Sequence, residues 1–186
     1  MSHEIEVKVK LAIEAFAPAG IRLELHTARH FEDNWLLDTE AHQLGGKSSI
    51  LRVRNAGGKG LLTYKEKAGS DAPASQFKLR VEIETELGDA HEALAIFDRL
   101  GYHRFFRYQK YRSVYEAILP SGKSLHVMAD ETPLGNFLEL EGEEGVIAEA
   151  VSLLGVTRAD YILVSYLALQ VAHCREQGKA LEDMVF

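Results

Sequence analysis

The sequence predicts an α+β, mainly β protein: about eight strands in a mainly antiparallel sheet, curved or closed, with a few helices packed outside. Three observations predict it. Segment after segment alternates apolar and polar residues with period two, so that one face of each strand meets a core and the other a second surface. Turn signals rich in Gly, Pro and Ser separate these segments at short intervals. Helical spacing is clear in only three stretches, with a short, weaker one near Ala12 to Pro18.

Taken in order, Glu4 to Leu11 is the first strand, with Ile5, Val7, Val9 and Leu11 on one face and Glu4, Glu6, Lys8 and Lys10 on the other. A second covers Thr27 to Leu37. Ile50 to Arg54 and Leu61 to Lys67 flank Gly57-Gly58-Lys59-Gly60, a hairpin-like turn. After the loop Gly69 to Ser75, which contains Pro73, alternation resumes from Phe77 to Leu87. Asp89 is a good N-cap for a helix over Ala90 to Leu100, whose Ala93, Leu94, Phe97 and Leu100 share a face and which Gly101 stops. Tyr108 to Ala117, Leu125 to Asp130 and Asn136 to Glu141 are further strands, divided by Pro120-Ser121-Gly122 and Pro133-Leu134-Gly135. A helix then spans Glu143 to Leu154, and the longest one about Ala159 to Arg175. With no repeat and no linker, the reading is a single domain over residues 1–176 followed by an extension, 177–186, of unassigned role.

Composition narrows the class. A chain of 186 residues, 46% hydrophobic and 26% charged, can bury the core of one globular domain. A net charge of −7 argues against a general nucleic-acid binder, which needs a basic face to release counterions. No apolar run approaches the ~20 residues of a bilayer span. The start, Met1-Ser2-His3-Glu4, lacks signal-peptide character, and the one cysteine, Cys174, forms no internal disulfide, so a cytoplasmic location is expected.

The polar strand faces carry the functional signal. Residues two apart match in sign: Glu4/Glu6, Glu82/Glu84 and Glu139/Glu141 are acidic, while Arg52/Arg54, Lys65/Lys67 and Lys110/Arg112 are basic. Lys8, Arg80 and Asp130 share their parity. Such pairs project from one side of a strand, and like charges so placed repel by about 1 kcal/mol even in water. A single pair is adequately explained as a solvated face. Six pairs on alternating strands are better explained by a lined interior holding counter-charges. Seven acids facing eight bases, together with two divalent cations, suit a polyanion. Carboxylates without clustered His or Cys indicate a hard cation, Mg²⁺ or Mn²⁺, and Arg and Lys are the usual phosphate partners.

These residues resemble the CYTH superfamily, the triphosphate tunnel metalloenzymes. Glu4-Ile5-Glu6-Val7-Lys8 is similar to its ExExK signature. Leu51-Arg52-Val53-Arg54, Leu62-Thr63-Tyr64-Lys65, Arg80-Val81-Glu82-Ile83-Glu84, Lys110-Tyr111-Arg112, Asp130 and Leu134 to Glu141 follow in the family's order, covering about residues 3–170. Within the family, Glu82 to Glu86, Leu100-Gly101-Tyr102 and Ser165-Tyr166 look most like the class IV adenylyl cyclase branch, near the thiamine triphosphatases. The resemblance implies an eight-stranded antiparallel β-barrel forming a tunnel, with helices outside and two Mg²⁺ or Mn²⁺ ions. It implies that Glu4, Glu6 and Glu139 hold the first metal, that Glu84, Asp130 and Glu141 serve the second, and that Glu82 belongs to the same acidic set. Lys8, Arg52, Arg54, Lys65, Lys67, Arg80, Lys110 and Arg112 would grip phosphates, with Lys8, Arg54 and Glu84 nearest the chemistry. Asp33 to Thr39 matches the family pattern only loosely, which leaves any base-recognition element open.

The expected function is metal-dependent hydrolysis of a triphosphate: inorganic tripolyphosphate, a nucleoside triphosphate or thiamine triphosphate. Cyclisation of ATP to cyclic AMP and pyrophosphate shares the same charged inventory and stays open. A non-catalytic polyphosphate or nucleotide sensor ranks lower because all seven carboxylates are present, and a protein-binding domain with solvated strands ranks lower still. The eight histidines show no zinc spacing, and Gly57-Gly58-Lys59-Gly60 lacks the context of a P-loop. Tyr108, Tyr111 and Tyr115 are read as packing or capping the barrel, the Tyr161 to Val171 stripe as core or a homodimer face, and Cys174 as incidental.

Overall fold

The computed structural model describes residues 2–69 and 75–186, with backbone alone at residues 2 and 3. Most of the loop expected at Gly69 to Ser75, Pro73 included, lies outside the described residues, as does the His3 side chain. Eight strands alternate direction and close on themselves: β1 (Ser2–Val9), β2 (Arg22–Asp38), β3 (Ile50–Ala56), β4 (Lys59–Lys67), β5 (Lys78–Leu87), β6 (His103–Ile118), β7 (Ser124–Thr132) and β8 (Gly135–Glu141). Their order around the barrel is β1-β5-β4-β3-β2-β6-β7-β8, every neighbour antiparallel, with β8 pairing back onto β1. The expected barrel is therefore observed.

Period-two alternation does the sorting. On β1, Val7 and Val9 point outward into a core with Leu125, Val127, Leu138 and Leu140 of β7 and β8. Helix α3 (Glu144–Leu153) seals this surface with Val146, Ile147, Ala150 and Val151. Each buried Val, Leu or Ile side chain here contributes about 1.5–3 kcal/mol. Helix α2 (Ala90–Arg99) covers Trp35, Leu37 and Val53 on the outside of β2 and β3 with Ala90 and Leu94. Its N-cap is as expected: the Asp89 carboxylate accepts from the backbone N–H of His91 at 2.7 Å and Glu92 at 3.0 Å. The β3–β4 hairpin turns on Gly57 and Gly58, whose φ angles of +57° and +86° suit a two-residue primed turn that only glycine adopts without strain.

Two expectations are corrected. The segment near Ala12 to Pro18 is a single 3-10 turn, Ile13–Phe16, following the one-turn rule for short pieces. The long helix from Ala159 does not exist as one element. Arg158–Asp160 form a 3-10 turn, Ile162 donates its N–H to the Lys8 carbonyl at 2.8 Å as an extended bridge, and helix α4 spans Tyr166–Glu176. Ser165 caps it through the Ala168 N–H at 3.3 Å. The apolar spacing through Leu163 and Val164 misled because both side chains point to solvent, 42% and 47% exposed. One further α-helical turn, α1 (Gln43–Gly46), follows β2.

β6 reaches past β7, leaving one edge of residues 103–110 without a strand neighbour. Residues 183–186 fill it. The Met184 N–H donates to the Arg107 carbonyl at 3.0 Å, and the Gln109 N–H donates to the Met184 carbonyl at 2.8 Å. Met184 is 1% exposed and belongs to a buried cluster with Leu36, Phe106, Tyr108, Phe137 and Tyr166. Among the described residues no helix is long and apolar enough to cross a membrane.

Candidate functional site

Strand order polarises the interior. β8, β1 and β5 are adjacent through the closure, and their inward positions carry Glu139 and Glu141, Glu4 and Glu6, Glu82 and Glu84. β4, next to β5, and β3 and β6 further round the barrel bring Lys65, Arg52 and Arg54, Lys110 and Arg112. Six carboxylates and five cations thus face one another across a cavity of about 450 Å³, to which Lys8 and Lys78 add two cations from the acidic wall itself. Alternation and barrel closure bring residues 137 positions apart onto one surface.

Most of these thirteen charged side chains are paired, either with one another or with the buried Glu32 and Asp130. Lys65 holds both oxygens of Glu4 at 2.6 and 2.8 Å and reaches Glu82 at 2.9 Å. Lys8 pairs with Glu139 at 2.7 Å, Arg112 also donates to Glu139, and Lys78 pairs with Glu6. Arg52 donates to Thr63 at 2.9 Å and to the Tyr108 hydroxyl at 3.3 Å, and lies 3.6 Å from Glu84, which accepts from Thr63 at 2.7 Å. Arg54 donates to Asn34 at 2.7 Å and to Glu32 at 3.1 Å. Pairing of this kind is what lets charges persist out of water.

The protonation states follow. Burial pushes the Glu139 carboxyl up, but Lys8 and Arg112 outweigh it and hold Glu139 well below the ordinary range. Burial likewise opposes the Lys8 ammonium, and Glu139 and Glu6 overcome it, raising Lys8. Tyr108 would rise on burial alone; Arg52, Arg54 and Lys110 pull its phenol down to about 8. Tyr166 moves the other way, well above its ordinary value, because it is buried against Glu139 and Asp130.

Glu141 is the exception in the acidic wall. Among the described residues it has no cation within ion-pairing distance. Burial, then Glu4, push its carboxyl up to about 7, with Glu6 and Glu82 adding to the rise against the pull of Lys65. The unfolded chain releases this proton at the ordinary 4.5. Between about 4.5 and 7 the folded state therefore binds the extra proton, and Glu141's contribution to stability is lost as pH rises through about 7. Glu141→Gln should flatten this decline, read as urea midpoints of both proteins at pH 5 and pH 8; an unaltered slope would contradict it.

Most of the sequence-selected residues converge on the cavity, and three do not line it. Asp130 lies behind the wall, 1% exposed. Its oxygens accept from Lys110 at 2.8 Å, from Arg112 twice at 2.6 Å and from the Tyr166 hydroxyl at 2.7 Å. Arg80 donates to the Ser48 carbonyl at 2.7 Å, and Lys67 is exposed at the end of β4. Conversely, Glu32, Asn34, Thr63, Lys78, Tyr108 and Tyr166 enter the charged network. Inward parity on β2 from Leu36 would have found Glu32 and Asn34, and parity on β5 from Arg80 would have found Lys78. Tyr166 left no strand signal, since it reaches the interior from α4. Cys174 is buried on α4, where its sulfur accepts from Gln170 at 3.4 Å.

The carboxylates offer oxygen ligands alone, the donor set of a hard divalent cation, and fit Mg²⁺ or Mn²⁺ in chemistry. Among the described residues no three His, Cys, Asp or Glu side chains are gathered as a ready metal cage. Lysines instead pair with Glu4, Glu6, Glu82 and Glu139, and a cation bound there would have to displace them.

Comparisons with known proteins find the same fold. A Pyrococcus horikoshii protein of known structure is 25% identical, with 91% of this chain and 99% of that chain covered at a TM-score of 0.66. A candidate adenylate cyclase from Vibrio parahaemolyticus is 20% identical, with 89% and 95% covered at 0.67. A candidate adenylyl cyclase from Hippeastrum, described as having a dominant triphosphatase activity, is 20% identical, with 97% and 98% covered at 0.58. No curated protein matches the chain. The CYTH domain model matches residues 2–156, and the chain belongs to the CYTH domain family.

Proposed function

We propose that the protein is a divalent-metal-dependent phosphohydrolase that cleaves a triphosphate inside the barrel. The carrying observation is the polarised cavity, with six carboxylates on one wall and the Arg/Lys set on the other. Glu4, Glu6 and Glu139 would hold one Mg²⁺ or Mn²⁺, and Glu84 and Glu141, with Glu82 beside them, a second. Bound there, the metals supply Lewis-acid neutralisation of phosphoryl charge. Asp130 acts in this reading from behind the wall, by fixing Lys110 and Arg112. Arg52, Arg54, Lys65, Lys110 and Arg112 grip non-bridging oxygens, while Lys67 and Arg80 stand nearer the rim and attract the polyanion. Glu84, fixed by Thr63, orients a water for attack on the terminal phosphorus. Lys8 and Arg54 stabilise the charge that spreads over the transferring and leaving oxygens as the P–O bond breaks. The products are orthophosphate and a diphosphate.

Arg54→Ala should weaken tripolyphosphate binding by roughly 10- to 100-fold, the equivalent of one charge-assisted hydrogen bond of about 1.5–3 kcal/mol. Calorimetric titration checks it, and an unchanged Kd with unchanged turnover would count against the role. Saturation at 100 times Kd should also stabilise the fold by about 2.7 kcal/mol, visible as a thermal shift with tripolyphosphate and Mg²⁺.

One observation favours a second reading. The cavity also has apolar lining, from Leu36, Ile50, Met128 and Leu167 beside Tyr108 and Tyr166, which a bare polyphosphate does not use. A nucleotide would use it, and cyclisation of ATP would then follow from attack of the ribose 3′-oxygen on the α-phosphorus. Incubation with ATP, tripolyphosphate and thiamine triphosphate plus Mg²⁺ or Mn²⁺ decides: orthophosphate identifies the hydrolase, cyclic AMP with pyrophosphate the cyclase.

A further inference from the structure

The acidic wall contains two cations, and only Lys8 belongs to a motif already assigned to phosphate. The other is Lys78, directly opposite Glu6 in the β1–β5 register, with its ammonium paired to the Glu6 carboxylate inside the cavity. The geometry points to Lys78 as a further phosphate-binding residue, stored on Glu6 while the site is empty and released when a divalent cation takes Glu6. The inference rests on the triphosphate reading of the cavity.

Lys110 and Arg112 are each tied to Asp130, whose side chain is fully buried, and Arg54 to Glu32 and Asn34, so each keeps an anchor that faces no ligand even though Arg112 also donates to Glu139. Lys78 is different. Its one ion-pair partner among the described residues is Glu6, itself a cavity carboxylate, and its side chain keeps 17% of its surface exposed. A four-carbon stem with a compact ammonium can swing without moving the backbone. A divalent cation arriving at Glu4, Glu6 and Glu139 competes directly with the ammonium on Glu6. Once displaced, that ammonium is left in a partly desolvated cavity without a counter-charge, a costly state that an entering phosphate oxygen relieves. Metal and triphosphate then assist each other's binding through Lys78, as reciprocal coupling requires.

The test compares wild type, Lys78→Met and Lys78→Arg by calorimetric titration, first with Mn²⁺ alone and then with tripolyphosphate at saturating Mn²⁺. Lys78→Met should bind Mn²⁺ alone several-fold more tightly, because the internal competitor is gone. It should bind tripolyphosphate with Mn²⁺ about tenfold more weakly, because one charge-assisted contact is lost. Lys78→Arg should keep the tripolyphosphate affinity within a few-fold of wild type, and circular dichroism of both variants confirms the barrel. Mn²⁺ binding unchanged or weaker in Lys78→Met, or tripolyphosphate affinity unchanged, overturns the inference while leaving the triphosphate reading in place. Wild type that binds neither ligand overturns both.

Discussion

Glu139→Gln should reduce metal-dependent turnover by about a hundredfold or more, a larger effect than that of any single phosphate contact. The residue sits where three demands meet. It is one of the two proposed metal carboxylates of β8, it is 7% exposed, and it is the acceptor for both Lys8 and Arg112. A carboxamide keeps the shape but removes the negative charge that a divalent cation needs. It also turns an N–H₂ toward one of two buried cations. The empty protein should therefore lose stability as well, by about 2 kcal/mol, less than full truncation because Arg112 retains Asp130. Turnover, Mn²⁺ titration and urea unfolding measure the three effects separately. Full activity in the variant would refute the ligand role; lost activity with normal Mn²⁺ affinity would move Glu139 from metal binding to phosphate-wall support.

Asp130→Ala should be the most destabilising single change in the site, costing about 3–5 kcal/mol. Four donor contacts converge on this carboxylate, and its removal leaves Lys110 and Arg112 buried against each other with less compensation. For a chain of this size, about 3–5 kcal/mol corresponds to a fall in Tm of roughly 6–20 °C. The pH dependence has a definite sign. Burial opposes ionisation of Asp130, yet Arg112 and Lys110 prevail and hold its carboxyl below the ordinary 3.8. Its stabilisation is therefore present above that value and disappears as pH falls through the folded value. Differential scanning calorimetry of wild type and variant at pH 7 and below pH 4 should show the two melting temperatures converging in acid. A constant difference would mean that the loss is of packing rather than charge.

The barrel was legible because alternation is a local property: each strand announces its two faces, and the like-charged pairs announce which face holds the ligand. The outward apolar residues Val7 and Val9 and the inward Glu4, Glu6 and Lys8 come from one eight-residue segment. What stayed hidden depends on contacts far along the chain. Asp130 shares the parity of the cavity residues, but Tyr166 of α4 covers it, which no strand pattern reveals. Glu32 escaped because it has no like-charged neighbour two residues away; Asn34 occupies that position and supports Arg54 instead. The start of α4 differs from expectation because Tyr161, Ile162 and Val164 fit helical spacing, whereas Ile162 instead makes an isolated antiparallel bridge to Lys8 of β1.

The closure of β8 onto β1 has a consequence for biosynthesis. Lys8 lies in register with Glu139, so the strand made first must remain without one of its two neighbours until well over a hundred further residues have left the ribosome. Such non-local pairing is slow, and an open strand edge invites association with other chains. β1 carries Glu4, Glu6 and Lys8 through that interval, and alternating charge is a known deterrent to strand stacking. The residues proposed to bind metal and phosphate in the finished barrel would thus serve first as guards of the nascent one, and neutral substitutions there should be costlier to the yield of soluble protein than to the stability of whatever has already folded.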